Sequence, residues 1–461
     1  MSAAPPILLY GLGRSGLAAG RLAARQGRTV RWTDRDPTSP DAAAARAEGW
    51  GEPVDVAADA DGPWAVCIAA PGVPWDHPDL RVLRARGVET IGEIEWVHRT
   101  IDAPMIGITG TAGKGTVTRW TDALLHASGV DAVAGGNLDP ALAAVATPGR
   151  WLVTEISSFQ LERSPTLRPR VAVVTVLGRD HLDRHGDLAT YHAVKRRLLR
   201  HLGPGDVAIL NADDPYQAGW AAPVRAAGAE VRTVSAAGAA DAFARLAPAA
   251  DGAPHLWVGP HDLGPDRLAV PGRPARANAL AALAAADAAG ADPAALAAHV
   301  PHLRGLPGRH ERIAEACGVR FVDDAIATRE LAVHAALEAA TPPIAWIVGG
   351  RDKGADPRPL VPLVAAKVDL VLAIGEAGPT FARTFEGHAD VRVLDAPDGA
   401  TAMTDAVRVG AEHLAGRGGG TVLLAPLAAS FDQFPHYRAR GDAFRAATHA
   451  LLAEASWTDC S

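Results

Sequence analysis

Several short segments of this chain gather glycines, hydroxyls, carboxylates, histidines and lysines just past apolar runs. The first is Gly11-Leu12-Gly13-Arg14-Ser15-Gly16, after the run 7–10 and at the start of a helical pattern, with Asp34 past the run 29–32. Glycines there permit a tight turn and let a phosphate approach a helix N-terminus. The acid beyond the next run suits a ribose hydroxyl. A glycine turn that merely packs helix on strand is the plain alternative. NAD, FAD and UDP-sugars all carry a pyrophosphate, and the motif does not choose among them.

The second segment is Thr109-Gly110-Thr111-Ala112-Gly113-Lys114-Gly115-Thr116, after the run 105–108. Backbone N–H groups of such a loop cradle phosphates, a lysine ammonium reaches the terminal ones, and a hydroxyl can hold Mg²⁺. The spacing departs from the common P-loop, because Ile108 stands where Gly is usual and Gly115 where Ser or Thr is usual. The third feature is Glu155, at the end of the run 151–154, where an acid beside a phosphate loop can take magnesium. The fourth is Asp180-His181-Leu182-Asp183, with Lys195 following on a helical pattern; His185, His192 and His201 nearby read as surface residues. The fifth, Ala425-Pro426 through Ser430-Phe431-Asp432, can present a hydroxyl and an N–H-rich turn to a carboxylate.

These segments must be held by the apolar runs before them. Runs at 7–10, 66–69, 105–108, 151–154, 171–176, 207–210, 346–348, 371–374 and 421–424 alternate with helical patterns. Continuous apolar strands of this kind belong to parallel sheets covered on both faces. The fold class is therefore α/β, with a Rossmann-like N-terminal, a P-loop-type central and a Rossmann-like C-terminal domain over 1–93, 94–305 and 306–461. The Gly/Pro/Ala-rich stretch 218–250 reads as a surface insertion or a weakly packed subdomain without function, and 277–298 as an Ala/Leu helix.

At 461 residues the chain has room for two to four domains of about 100–200 residues each. A net charge of −7 speaks against general nucleic-acid binding, which needs excess Lys and Arg. The three cysteines, Cys67, Cys317 and Cys460, are far apart; neither a disulfide framework nor a zinc knuckle is expected, and a reducing, cytoplasmic setting fits. The first residues lack the charge and apolar run of a signal peptide, and no run of about 18 apolar residues could span a membrane.

Taken together the segments resemble those of the Mur ligases along the whole chain. The phosphate loop resembles that family's Gly-Thr-x-Gly-Lys form. The specific matches are Glu-Ile-Ser-Ser-Phe-Gln-Leu at 155–161, Asp-His-Leu-Asp-Arg at 180–184 and Asn-Ala-Asp-Asp at 211–214. Ser-Phe-Asp-Gln-Phe at 430–434 and Gly349-Gly350-Arg351-Asp352-Lys353 are similar to the member that adds D-glutamate. The resemblance implies an ATP-dependent, ADP-forming ligase acting on UDP-N-acetylmuramoyl-L-alanine through an acyl phosphate, in peptidoglycan precursor synthesis. It implies that Gly13, Arg14, Ser15, Asp34, Gly72 and Asn137 hold the UDP substrate. ATP would fall to Gly110, Thr111, Gly113, Lys114, Gly115, Thr116, Asn278, Arg309 and Asp324. D-glutamate would fall to Thr328, Lys353, Ser430, Phe431 and Tyr437. Two magnesium ions are expected on Thr116, Glu155, His181 and Lys195, the last carbamylated, with Lys114, His181 and Lys195 as the catalytic group. A monomer with small-molecule substrates alone is expected.

The chain departs from the family where Ala112 replaces the common Asn and where Ile326 replaces the usual Lys in Asp323-Asp324-Ala325-Ile326-Ala327-Thr328-Arg329. Arg329, read as one helical turn beyond Ile326, is expected to restore that charge. Two other readings stand beside this one: a sister ligase with another amino acid, including folylpolyglutamate-type chemistry, and an NAD-dependent oxidoreductase. A dehydrogenase has no use for a lysine-bearing second phosphate loop, and a non-catalytic relative has no reason to keep Lys114, Glu155 and His181.

Overall fold

A computed structural model describes residues 4–56, 58, 62–250, 252–352 and 354–458. The apolar runs form strands in three sheets. In the first, β1 (Ile7–Tyr10), β2 (Val30–Thr33), β3 (Val66–Ala69) and β4 (Thr90–Ile91) lie parallel in the order β2-β1-β3-β4. Both neighbours of β1 follow it in sequence on opposite sides, so the glycine loop after β1 opens at the point where strand order reverses, the usual ligand crevice of such sheets.

The second sheet contains β5 (Met105–Thr109), β6 (Ala132–Gly136), β7 (Trp151–Glu155), β8 (Val171–Val174), β9 (Val207–Asn211), β10 (Glu230–Ser235), β11 (Ala244–Pro248), β12 (Pro254–Val258) and β13 (His261–Pro265). Its order is β13-β12-β11-β10-β9-β8-β5-β7-β6, parallel from β6 to β11, with β12 and β13 added antiparallel. β5 thus lies between β7 and β8, and the exits of all three meet at one edge. The stretch 218–250 is not an insertion. It supplies the helix Ala221–Ala226 and strands β10 and β11; β10 pairs with β9, packing Val231 against the core on one face and burying Val234 on the other. The Ala-rich segment is two helices, Arg273–Ala288 and Pro293–His299, parted at Gly290 with its φ of 90°.

The third sheet holds β14 (Glu311–Ala316), β15 (Val319–Asp323), β16 (Ile344–Gly349), β17 (Val368–Ile374), β18 (Asp390–Val393) and β19 (Gly420–Leu427), in the order β14-β15-β19-β16-β17-β18. Only β14 is antiparallel. Alternate residues of β16 feed opposite faces. Trp346 and Val348 pack with Phe381 and Phe385, while Ala345 and Ile347 pack with Met403, Val407 and Phe444. Burying each large side chain stabilises by about 1.5–3 kcal/mol, so both helical layers are needed to cover a strand that is apolar on both sides. Cys317, in the β14–β15 turn, is disulfide-bonded.

The chain forms two compact units. One runs to Asp266 and includes Ala277–His299, with the first two sheets. The other comprises Arg267–Arg276 and the chain from Val300, with the third sheet. Among the described residues no helix is long and apolar enough to cross a membrane.

Candidate active site

The glycine loop after β1 is built to bring a helix N-terminus close to its strand. A Cβ on Gly16 would lie 2.4 Å from the Gly11 carbonyl oxygen. Asp34 accepts from Leu12 N–H at 2.7 Å and from Asp36 N–H at 3.0 Å. Its carboxylate therefore fixes the loop, a role the sequence reading did not include. Gly13 and Arg14 are exposed and Ser15 is partly so at the start of the helix Gly13–Arg25. A side chain on Gly72, past β3, would meet nothing within 4 Å, so protein packing does not demand glycine there. Arg14 donates to the Asn137 carbonyl at 2.7 Å, and the Asn137 amide donates to Glu155 Oε1 at 2.7 Å. The structure thereby joins the loop of the first sheet to the acid of the second.

The phosphate loop between β5 and the helix Lys114–Ala127 is braced from β8. Thr111 N–H donates to the Val176 carbonyl at 2.7 Å, and the Thr175 hydroxyl to the Ala112 carbonyl at 2.6 Å. Gly110 and Gly113 have φ of 152° and 82°, where L side chains strain. Space is absent too: a Cβ on Gly110 would fall 1.9 Å from Thr175 Oγ1, and one on Gly113 2.3 Å from Asn278 Oδ1. Asn278, over 160 residues away in sequence, is thus packed on the loop. Lys114 Nζ donates to the carbonyls of Gly110 at 2.9 Å and Thr111 at 3.1 Å, folding back over the loop it is meant to serve. Gly115 is buried and Thr116 partly buried in the first helical turn.

Glu155 closes β7. It is 3 % exposed, and its Oε2 is buried with no hydrogen-bond partner, a poor arrangement unless another group completes it. Lys195 is 1 % exposed on the helix Leu188–Arg196, and its Nζ donates to the Gly110 carbonyl at 2.7 Å. Burial, and then the Lys114 ammonium, hold the Lys195 amine well below the usual lysine range; Asp180 and Glu155 pull the other way. One neighbourhood therefore holds Lys114, Glu155, Asp180 and Lys195. His181 sits at φ 51°, 4.7 Å ring to ring from Phe159 and with Nε2 3.5 Å from Asp180 Oδ2. His185 and His192 are not surface residues. Each is 8 % exposed; His185 Nε2 lies 3.0 Å from Ser158 Oγ and His192 Nε2 3.1 Å from the Gly178 carbonyl. Both brace the loops around β8, whose tertiary packing the local sequence did not disclose.

In the second unit the exits of β15, β16 and β19 share an edge. Asp324 is 8 % exposed, and burial pushes its carboxyl up to about 8, with the Arg309 guanidinium pulling down. His310 Nδ1 lies 4.0 Å from Asp324 Oδ2, and burial lowers this imidazole to about 4. At neutral pH both groups are held uncharged, and a neutral carboxyl can both donate and accept. Ser430 is buried after β19, Phe431 is 56 % exposed, and Tyr437 opens the helix Tyr437–Leu452. Lys353 lies outside the described residues. Thr328 and Arg329 are in a loop, and the helix Glu330–Ala339 begins only after them. Ile326 and Arg329 are therefore not one helical turn apart, and that argument for a replaced charge does not hold.

One organising residue was missed. Arg440 is 1 % exposed and donates to the carbonyls of Ala325, Gly349, Ala428 and Ala429, tying together the exits of β15, β16 and β19. Nothing in a lone arginine on an amphipathic helix distinguishes it from a solvated one. Among the described residues no group of three or more His, Cys, Asp or Glu is placed to hold a metal ion. The expected magnesium set contains only two such residues, Glu155 and His181, so its other donors must be of different chemistry.

A strand–glycine loop–lysine–helix unit with a buried acid on the adjacent strand is the arrangement that nucleotide-dependent phosphoryl-transfer enzymes use. The Mur ligase middle domain matches residues 108–286. The chain belongs to the Mur ligase family. It is 43 % identical over 460 residues, 98 % of this chain and 99 % of the relative, to the UDP-N-acetylmuramoylalanine–D-glutamate ligase of Thermus thermophilus. The ligase of that name from Deinococcus radiodurans is also 43 % identical, over 97 % of this chain and 92 % of its own. Among solved structures, the pseudomurein peptide ligase type C of Methanothermus fervidus shares the fold at TM-score 0.61 and 16 % identity, covering 97 % of this chain and 100 % of that one. The UDP-N-acetylmuramate-alanine ligase of Thermotoga maritima does so at TM-score 0.59 and 17 % identity, with the same coverage.

Proposed function

We propose that this chain joins D-glutamate to UDP-N-acetylmuramoyl-L-alanine, converting ATP to ADP and phosphate. The observation that carries the reading is the 43 % identity across 98 % of the chain to relatives named for that reaction. The geometry supports the chemistry. An alanine carboxylate oxygen attacks the γ-phosphorus, ADP leaves, and an acyl phosphate forms. The D-glutamate amine then attacks the acyl carbon, loses a proton and expels phosphate. Both steps call for charge stabilisation and alignment more than for a protein nucleophile.

Lys114 and the N–H groups of 110–116 would grip the ATP phosphates, with Asn278 beside them and Arg309 and Asp324 as further nucleotide contacts. Gly13, Arg14, Ser15, Gly72 and Asn137 would hold the UDP substrate, with Asp34 keeping their loop in shape. Thr328, Lys353, Ser430, Phe431 and Tyr437 would form the amino-acid pocket. The unpartnered buried oxygen of Glu155 and the deprotonation-prone amine of Lys195 fit a magnesium centre. Thr116, Glu155, His181 and a carbamylated Lys195 would hold two magnesium ions, which neutralise phosphate charge when bound. A neutral lysine amine is what carbon dioxide needs, and the carbamate it forms offers hard oxygen ligands. Domains at 1–93, 94–305 and 306–461, a monomeric state and a cytoplasmic location complete the reading. The test is ADP release with UDP-N-acetylmuramoyl-L-alanine across a panel of amino acids. D-glutamate alone should drive it; equal release with L-glutamate or a diamino acid removes the assignment.

A further inference from the structure

The turn after β3 carries Gly72 and leaves its sheet with carbonyls that no strand can satisfy. Two arginines from the second sheet's helical connections supply the donors. Arg163, 1 % exposed, donates to the carbonyls of Ala70 and Val73. Arg184 donates to the Pro71 carbonyl at 3.1 Å, to the Val73 carbonyl at 3.4 Å and to Glu162 Oε2 at 2.6 Å. We propose that Arg163 and Arg184 are positioning residues for the sugar-nucleotide substrate, clamping residues 70–73 so that the Gly72 backbone is presented in a fixed place. This rests on the proposed function, which puts the UDP-linked substrate on that turn.

Three observations favour a functional clamp over simple packing. A buried guanidinium is a costly way to close a turn, and among the described residues Arg163 has no ion pair. Glu162 is the carboxylate paired with Arg184 and it also lies 3.4 Å from His185 Nδ1, so the Arg184 fork is held in orientation from behind while it faces the turn. The clamp also reaches the reacting end. Arg184 lies over the Phe159 ring at 4.1 Å, and the same ring is 4.7 Å from that of His181. The turn that takes the substrate and the histidine expected at the phosphoryl group are thus fastened to the same side chain. Planar forks are needed for this, since one arginine serves two carbonyls and a carboxylate at fixed angles; a lysine point charge cannot.

The test uses the full chain with Arg184→Lys, and Arg184→Gln in parallel to avoid an ammonium beside Arg163. Amide hydrogen exchange without substrate should quicken at Gly72, Val73 and Trp75 by about tenfold, the scale of one lost charged hydrogen bond, while β3 and the phosphate loop stay as they were. The KM for UDP-N-acetylmuramoyl-L-alanine should rise by about tenfold, more than kcat falls, with the KM for ATP unmoved. Unchanged exchange in the turn overturns the clamp, and so does exchange that quickens throughout the unit with a matching rise in the KM for ATP, which is what a merely structural residue would give. If the wild-type chain turns over no UDP-linked substrate, the proposed function fails, while the exchange result still decides the clamp.

Discussion

Replacing Glu93 by glutamine should alter how stability depends on pH. Glu93 opens the helix Glu93–Thr100 and is 3 % exposed. Its Oε1 accepts from Ala143 N–H at 2.6 Å, while Oε2 is buried with no partner. Burial drives the carboxyl from 4.5 up to about 7, against the pull of the Ala143 N–H and Arg14. Between those values the unfolded chain has released this proton and the folded chain has not. Stability must therefore fall as pH rises from 4.5 to 7, and stay lowered above 7. At about 1.4 kcal/mol per pH unit the loss is about 3 kcal/mol. Glutamine keeps the acceptor for Ala143 but cannot ionise. Its second buried group still lacks a partner, a cost of about 1–3 kcal/mol that does not change with pH. The stability of Glu93→Gln relative to wild type should thus improve by about 3 kcal/mol between pH 4.5 and pH 8, read from urea unfolding of both proteins at several pH values. Parallel pH profiles for the two would refute the reasoning, because the buried carboxyl would then titrate as it does in the unfolded chain.

Lys195→Ala should lose nearly all activity, and a short carboxylate such as acetate should restore part of it; full activity in carbon-dioxide-free buffer would sink the carbamate. Gly113→Ala forces a Cβ to 2.3 Å from Asn278 Oδ1 at a φ of 82°, so calorimetry should find ATP binding weakened by tenfold or more, the scale of about 1–3 kcal/mol of backbone strain. Ser430→Ala should raise the KM for D-glutamate by about tenfold through one lost hydrogen bond to a carboxylate, with the KM for ATP unaffected; equal rises in both would place Ser430 outside the pocket.

Much of this was written in one dimension. Glycine loops after apolar runs disclosed both strand-to-helix turns proposed for phosphates, because a helix start that must approach its strand excludes side chains whatever surrounds it. Glu155 and Ser430 were legible for a related reason: the carboxyl end of a buried parallel strand is where a sheet can present polar groups. Residues 218–250 misled because alanine and glycine carry little periodicity, and β10 and β11 form only when β9 offers an edge to pair with. His185 and His192 looked solvated because a histidine's burial depends on neighbours distant in sequence. Arg163, Arg184 and Arg440 were beyond local reading for the same cause. An arginine on a helix or in a turn is ordinarily exposed, and only the folded chain supplies the carbonyls of 70–73, or of 325, 349, 428 and 429, that make burying its charge tolerable. Local sterics, then, determined where a helix start closes tightly on its strand, and long-range packing decided which cations hold the loops around those turns.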